Sequence, residues 1–454
     1  MPNPNPAKPT NVRYLVLAVT AAAAVFMYVD RVCIAQVSGD IKAVLRGELE
    51  AAEPDLSPQQ LDARAAARMD WVMSAFFWSY ALAQVPAGVF GIRFGFRKML
   101  AVYLFLWSFF TAVSGVAGGF AALVGARLAV GVTEAGAYPT AAALVKGWFP
   151  LGRRGFANSV VSLGGRIGGA FGLLLTPTLV VALTGAVVVG GEVVAGWRVA
   201  LVLFGVLGIF WSAVFWWVVR DHPGLHPWAN PAEAALPDTL PPPTTAQTII
   251  PPILLFLRSR NMWALSLLQF GNNVGWAFLI TKFPEYLETV HGKTGSERGF
   301  LASLPGFVGC AGMFLGGFLT DALIRRLGLR RGRLAPMLIG TAGACLAYLF
   351  CSAADTVVIV VAAMCLLTIC TDLAVPAVWA VAQDIGGRRV GPVLGWGNMW
   401  GNFGAAVCPL LLGKVERDFG WTAVFLTGAG AYFFAGCCAL MIDPTKPVEP
   451  EPAG

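Results

Sequence analysis

The chain has 454 residues, 57% of them hydrophobic and 13% charged, with a mean hydropathy of +0.69. Soluble domains carry roughly 25% charged residues, so the composition argues against a soluble enzyme, a disordered chain, a coiled coil or a disulfide scaffold. The net charge is +7, from 32 Lys and Arg against 25 Asp and Glu. In a membrane protein it fits basic cytoplasmic loops and needs no nucleic acid.

The tail 1–13 is polar and Pro-rich, with no signal-peptide pattern before the first apolar run. Twelve apolar segments follow. The first half, 14–219, holds Tyr14–Val37, Trp71–Phe90, Met99–Val116, Phe120–Val145, Phe156–Leu183 and Val199–Val219. The second half, 262–442, holds Met262–Phe283, Phe300–Leu319, Pro336–Cys351, Val357–Val381, Val390–Leu412 and Trp421–Ile442. They are numbered 1 to 12 below. Their runs are continuous, unlike the alternating strands of an outer-membrane barrel. A span takes about 20 residues, and lipid offers the backbone no partner, so each is predicted helical.

Between segments 1 and 2 lies the acidic stretch Lys42–Asp70. A Pro-rich stretch from Arg220 to Pro251, within the linker 220–261, separates the halves and is expected to be partly extended. A tail, 443–454, closes the chain. With both termini placed in the cytoplasm, cytoplasmic loops hold 19 of the 32 Lys and Arg and the opposite loops 8, as the positive-inside rule requires.

Segments 5 and 11 repeat one another. Arg153-Arg154-Gly155 precedes GRIGGA (Gly165 to Ala170), and Arg388-Arg389 with Gly391 precedes GNFGAA (Gly401 to Ala406); Gly155 and Gly391, and Gly165 and Gly401, are each 236 residues apart. Six helices repeated by six resembles the plan of the major facilitator fold, with substrate bound between the halves near midplane. The small residues allow close helix approach.

Charges at membrane depth are costly, about 2.5–3.5 kcal/mol or more each, so Asp30, Arg31, Arg127, Glu134, Arg166 and Asp372 require an account. Tyr28 and Arg31 share a face of segment 1; Asp30, adjacent to Arg31, points about 100° away, toward a proton-coupling role or toward a basic partner on another segment. Arg127 and Glu134 are two turns apart on segment 4, too far for direct pairing; Arg127 reads as structural and Glu134 as a proton-binding carboxylate. His222, His226 and His291 all fall in loops, so if the chain couples to protons a carboxylate must carry them, and the candidates at membrane depth are Asp30, Glu134 and Asp372. Arg31 suits an anionic ligand, because a guanidinium holds a carboxylate in bidentate fashion. Arg166 is the repeat mate of Asn402; it faces the cavity or pairs with a carboxylate such as Asp372. Tyr80, Gln84, Asn272, Asn273, Trp276 and Asn398 complete a set of cavity candidates suited to a polyhydroxylated ligand; each has the alternative role of interhelical packing. The nine cysteines read as small buried hydrophobes, and no cluster has metal-ligand spacing.

After segment 2 comes GVFGIRFGFRK (Gly88 to Lys98), and after segment 8 GGFLTDALIRR (Gly316 to Arg326). These resemble the signature loop of the major facilitator superfamily, with Gly88, Arg93, Gly95 and Arg97 in the first copy, Gly317, Asp321 and Arg325 in the second, and Ile92 where the family has Asp. Such loops latch one conformation against another. YVDR (Tyr28–Arg31), WVMSAFFWSYALAQVPAG (Trp71–Gly88), ARLAVGVTEAGAYPTAAALVKGWFP (Ala126–Pro150), GWGNMWGNFGAA (Gly395–Ala406) and the tail RDHPGLHPWANPAE (Arg220–Glu233) are similar to the anion:cation symporter branch, which includes galactonate, hexuronate and glucarate permeases, sialin and the vesicular glutamate carriers. The resemblance implies that Asp30 and Glu134 carry coupling protons. It also implies that Arg31 binds the substrate carboxylate beside Tyr28 and Tyr80, with Asn398 or Asn402 contributing. A galactonate-type permease has Gln where this chain has Gly165 followed by Arg166, which points to a different or more acidic substrate, a uronate or dicarboxylate. The expectation is therefore a twelve-helix symporter, with protons as coupling ion and no cofactor, importing a small organic anion, a sugar acid, across a bacterial inner membrane as a monomer. Exchange of anions without protons is the alternative.

Overall fold

A computed structural model describes residues 8–150, 154–237, 253–386 and 390–448. Nearly all of them are helical. Segment 1 is the helix Val12–Gln36, and segment 2 is the membrane part of Pro58–Phe94, which begins outside the apolar run with a Ser57–Gln60 capping box. Segment 3 is Phe96–Val116; segment 4 is broken into Phe120–Glu134 and Ala137–Trp148. Segments 5 and 6 are Arg154–Leu183 and Gly196–Val218.

In the second half, segment 7 is Arg260–Thr281 followed by the short helix Phe283–Thr289. Segments 8 and 9 run together in Gly295–Ser352 and turn at Gly328; segments 11 and 12 run together in Val390–Leu440 and turn at Gly420. Both turn glycines have φ near +78°, a conformation that a side chain would strain. Segment 10 is Val357–Gly386.

Among the described residues nine helical stretches are long and apolar enough to cross a membrane, and one of them, Val393–Leu440, contains both segments 11 and 12. Segments 2 and 7 fall short of that measure and complete the twelve. Polar side chains dilute their hydropathy: Ser74, Ser79 and Gln84 in one, Gln269, Asn272 and Asn273 in the other.

Two regions depart from the expected loops. The acidic stretch after segment 1 contains a helix, Ser38–Ala52. Between segments 5 and 6 a hairpin pairs Val188 with Val193 and Val189 with Glu192 across Gly190-Gly191, both at positive φ as a two-residue hairpin turn requires.

The beginning of the linker is folded rather than extended. Residues 223–225 form a 3-10 turn and Pro231–Ala234 a single helical turn. Trp148 donates its indole N–H to the Arg220 carbonyl, and His226 Nε2 hydrogen-bonds the Val218 carbonyl. The rest of the Pro-rich stretch, 238–252, lies outside the described residues.

The halves close against each other on the side away from the termini. There Lys282 meets Asp70 at 2.6 Å and Glu285 at 3.0 Å, Arg417 also binds Asp70, and Lys42 binds Glu285. Arg298 donates to the Gln36 carbonyl, and Trp78 packs on Phe403. On the side of the termini the hydrogen bonds and ion pairs among the described residues stay within one half or the other, as between Arg333 and Asp384.

Candidate functional site

The site is built around Arg31. It lies in the last third of segment 1, three residues after Tyr28, so one helix face presents both. Its guanidinium stands over the rings of Tyr28 at 4.6 Å, Tyr80 at 4.9 Å and Phe76 at 5.0 Å. This three-sided aromatic box attracts a desolvated cation through the ring faces.

The anion that neutralises Arg31 is Glu134. Arg31 Nε donates to Glu134 Oε1 at 2.9 Å, and a second guanidinium nitrogen donates to the same oxygen. Both side chains are buried, Glu134 completely. Its other oxygen, Oε2, is buried with no hydrogen-bond partner among the described residues.

The sequence around Glu134 explains its position. It is the last residue of the first helical piece of segment 4, and the helix breaks over Ala135 and Gly136. A side chain at Gly131 would collide with Ser79 Oγ and the Phe76 carbonyl, and one at Gly136 with the ring of Tyr103. These two glycines let segment 4 lie directly on segments 2 and 3, which carries the carboxylate to Arg31.

Asp30 and Arg127 sit behind this pair. Asp30 does not find the basic partner that was one reading of it: among the described residues it makes no ion pair. It faces segment 3, where Ser108 Oγ donates to its Oδ2 at 3.2 Å, while Oδ1 is buried without a partner. Arg127 is buried with its guanidinium 4.9 Å from the Phe76 ring centre. Phe76 thus lies within reach of two arginines.

The second cluster spans the halves. Arg166 of segment 5 pairs with Asp372 of segment 10, and its guanidinium stands 5.6 Å from the Trp276 ring of segment 7. Of the two readings of Arg166, the structure displays the pair with Asp372. A third group lies on segments 7 and 11. Asn273 Nδ2 donates to the Gln269 carbonyl and Asn402 Nδ2 to the Asn398 carbonyl, each within its own helix. Among the described residues Asn272 Oδ1 and Gln84 Oε1 are buried without partners, and Asn398 is exposed.

The loop residues stand apart from these clusters. Gly95 has φ +91°, and the backbone N–H of Arg97 donates to Asp221 Oδ1 at 2.6 Å, so Asp221 brings a carboxylate to a loop that has Ile92. The Arg97 guanidinium stacks on Trp216 at 4.1 Å. Gly317 and Arg325 lie at the end of segment 8 toward the termini. Gly88, Arg93 and Asp321 are described as helical backbone only; their side chains lie outside the described ones.

Sequence reasoning missed five contributors. Tyr138, just beyond the break in segment 4, meets Tyr28 edge-on at 6.4 Å. Phe76 forms a wall of the box. Asp70, Lys282 and Arg417 close the far side; they stand at segment ends, where charges are common and their pairing is not encoded locally.

Helices packed in two halves around buried charges between them define a membrane transporter rather than an enzyme. The chain belongs to the Major Facilitator Superfamily, whose model matches residues 51–409 and again 323–454. It is 28% identical over 446 residues to a probable sulfoacetate transporter of Cupriavidus necator, covering 96% of this chain and 95% of that one. It is 29% identical over 461 residues to a probable galactarate/D-glucarate transporter of Bacillus subtilis, covering 97% and 94%. A bacterial homologue of the human lysosomal transporter Spinster, solved inward-facing and unoccupied, superposes with a TM-score of 0.69 at 19% identity over 95% of each chain.

Proposed function

We propose that this chain imports a sugar acid by proton symport across a bacterial inner membrane, with both termini in the cytoplasm. The observation that carries this reading is the buried Arg31–Glu134 pair inside its aromatic box. The similarity to a probable galactarate/D-glucarate transporter supports the substrate class.

A proton on Glu134 removes the charge that neutralises Arg31. The guanidinium is then a buried cation without a counter-ion, a costly state that an incoming carboxylate relieves. Tyr28, Tyr80 and the amides of Asn272, Asn273 and Asn402 offer partners to sugar hydroxyls. Asp30, with one oxygen unpartnered, is the second proton carrier. Binding neutralises the cavity, the halves rock about it, and loss of the proton on the cytoplasmic side restores the Arg31–Glu134 pair and expels the anion. The acid thus competes with Glu134 for one guanidinium, which couples the two fluxes.

The test is substrate-triggered proton movement in proteoliposomes supplied with hexonates, hexuronates or aldarates, with a pH dye outside. Wild-type protein should alkalinise the exterior with one of these pools. Glu134→Gln should abolish that signal while sparing exchange of labelled substrate. Full proton-driven uptake by Glu134→Gln would remove the residue from the mechanism, and exchange without any pH change in the wild type would replace symport by antiport.

A further inference from the structure

Arg166 is the second arginine of the central space, and the Arg31 mechanism leaves it unused. A buried ion pair is a poor source of stability, because the desolvation of two charges offsets their attraction. Its placement here is lopsided. The side chain of Arg166 is 20% exposed and that of Asp372 3%, so the cation borders the open space and the acid stands behind it. Asp372 is seated by a gap in segment 8: a Cβ on Gly309 would come within 2.6 Å of its Oδ2.

The guanidinium carries five N–H donors, and the one hydrogen bond described for Arg166 is that to Asp372 Oδ1. Among the described residues its remaining donors have no hydrogen-bond partner. The two arginines also share a wall. A Cβ on Gly165 would stand 2.8 Å from the Tyr28 ring and would collide with the Tyr138 hydroxyl, so segment 5 lies directly on these tyrosines. On the other side of that wall stands Arg31, 4.6 Å from the same Tyr28 ring. Tyr28 therefore borders both Arg31 and the stretch of segment 5 that carries Arg166, and each arginine is held by a carboxylate from another segment.

We infer that Arg166 is a second acid subsite, so that the transported ligand carries two acid groups, one for Arg31 and one that displaces Asp372 from Arg166. This deepens the sugar-acid reading and rests on it for the carbon skeleton. A ligand with one acid group would leave the Arg166–Asp372 pair standing and gain nothing from it. The pair spans the halves, so a ligand that takes over Arg166 also replaces a contact between them, which ties occupancy of the far end to their movement. Galactarate, glucarate and sulfoacetate, the ligands named for the two relatives above, each bear two acid groups.

The test compares ligands that differ only at the far end. Wild-type protein in proteoliposomes is presented with glucarate, gluconate (a hydroxymethyl group in place of the second carboxylate) and sulfoacetate, and transport and competition are measured for each. Glucarate should outcompete gluconate by roughly 30-fold, the scale of a lost charge-assisted contact. Arg166→Gln should collapse that ratio toward one. Because Arg166→Gln strands Asp372, the double variant Arg166→Gln, Asp372→Asn, which keeps an uncharged pair, is measured alongside and should show the same collapse. Arg166→Lys, a point charge without the planar fork, should recover only part of it. Gluconate taken at least as well as glucarate by the wild type, or an unchanged ratio in both Gln variants, would overturn the second subsite and leave the sugar-acid reading intact. Transport of sulfoacetate without glucarate would keep the subsite and overturn the sugar-acid reading, and transport of none of the three would end both.

Discussion

At the scale of single residues, the central chemistry is two arginines that each share one carboxylate. Arg31 lies within a turn of its helix from Tyr28, and Glu134 joins it from 103 positions away. Truncating Glu134 to Ala leaves a buried cation unpaired, which costs about 3–5 kcal/mol; thermal unfolding in detergent should fall well below that of Glu134→Gln, which retains a hydrogen-bond acceptor. Gly165→Ala tests the packing of the site. Its methyl group would stand 2.8 Å from the Tyr28 ring and force Tyr28 and Tyr138 aside. Overpacking of this kind costs about 1–3 kcal/mol, and substrate affinity measured by competition should fall with little change in expression.

At the scale of elements, segment ends hold the halves together on the side away from the termini. Asp70 starts the membrane part of segment 2 and is held by Lys282 from the end of segment 7 and Arg417 from the end of segment 11. Lys282→Ala leaves Asp70 with Arg417 alone and should shift the population toward the outward-open state, read as increased labelling of a cysteine placed at position 74. Glu285 lies beyond the membrane part of segment 7. Burial pushes its carboxyl up, but Lys282 and Lys42 outweigh that and hold it down at about 2. Its folded value is depressed, so its contribution to closure is fully present above its ordinary value of 4.5 and is lost as pH falls toward 2. The Glu285 pairs should therefore persist unchanged between pH 5 and 8. Any pH dependence of transport in that range should survive Glu285→Gln, measured as uptake against external pH.

At the scale of the whole molecule, the beginning of the chain is held by residues far along it. The helix of segment 1 has no side-chain cap of its own. Glu233, from the short turn after segment 6, accepts the backbone N–H of Val12 at 3.0 Å and of Arg13 at 3.0 Å, and pairs with the Arg13 guanidinium at 3.0 Å. A carboxylate there satisfies the orphan donors of a helix start and opposes its dipole. Burial raises the Glu233 carboxyl, but the Thr10 hydroxyl, the two N–H groups and Arg13 outweigh it, so the group sits below its ordinary 4.5. The clamp is complete above that value and is lost as pH falls below it. Glu233→Ala should free residues 8–13, seen as faster amide exchange there, while leaving segments 2 to 6 protected.

The membrane fold and the costly groups were legible in the sequence, and their partners were not. Apolar run length identified the twelve segments, because lipid imposes a fixed span and an internally bonded backbone. Tyr28, Asp30, Arg31, Glu134, Arg166 and Asp372 stood out because polar groups inside such runs are costly. Segments 2 and 7 were recognisable by the length of their apolar runs although polar side chains dilute their hydropathy. Periodicity reports which residues share a face of one helix, and nothing in it reports which helix that face meets. The Arg31–Glu134 and Asp70–Lys282 pairs, Asp30 on Ser108, and the Glu233 clamp join residues on different helices. Sequence alone thus determined a two-half membrane transporter with buried charges. Only the packing of one helix on another, decided by glycine contacts spread along the chain, determined which charge neutralises which and that the halves are joined by ion pairs on the side away from the termini.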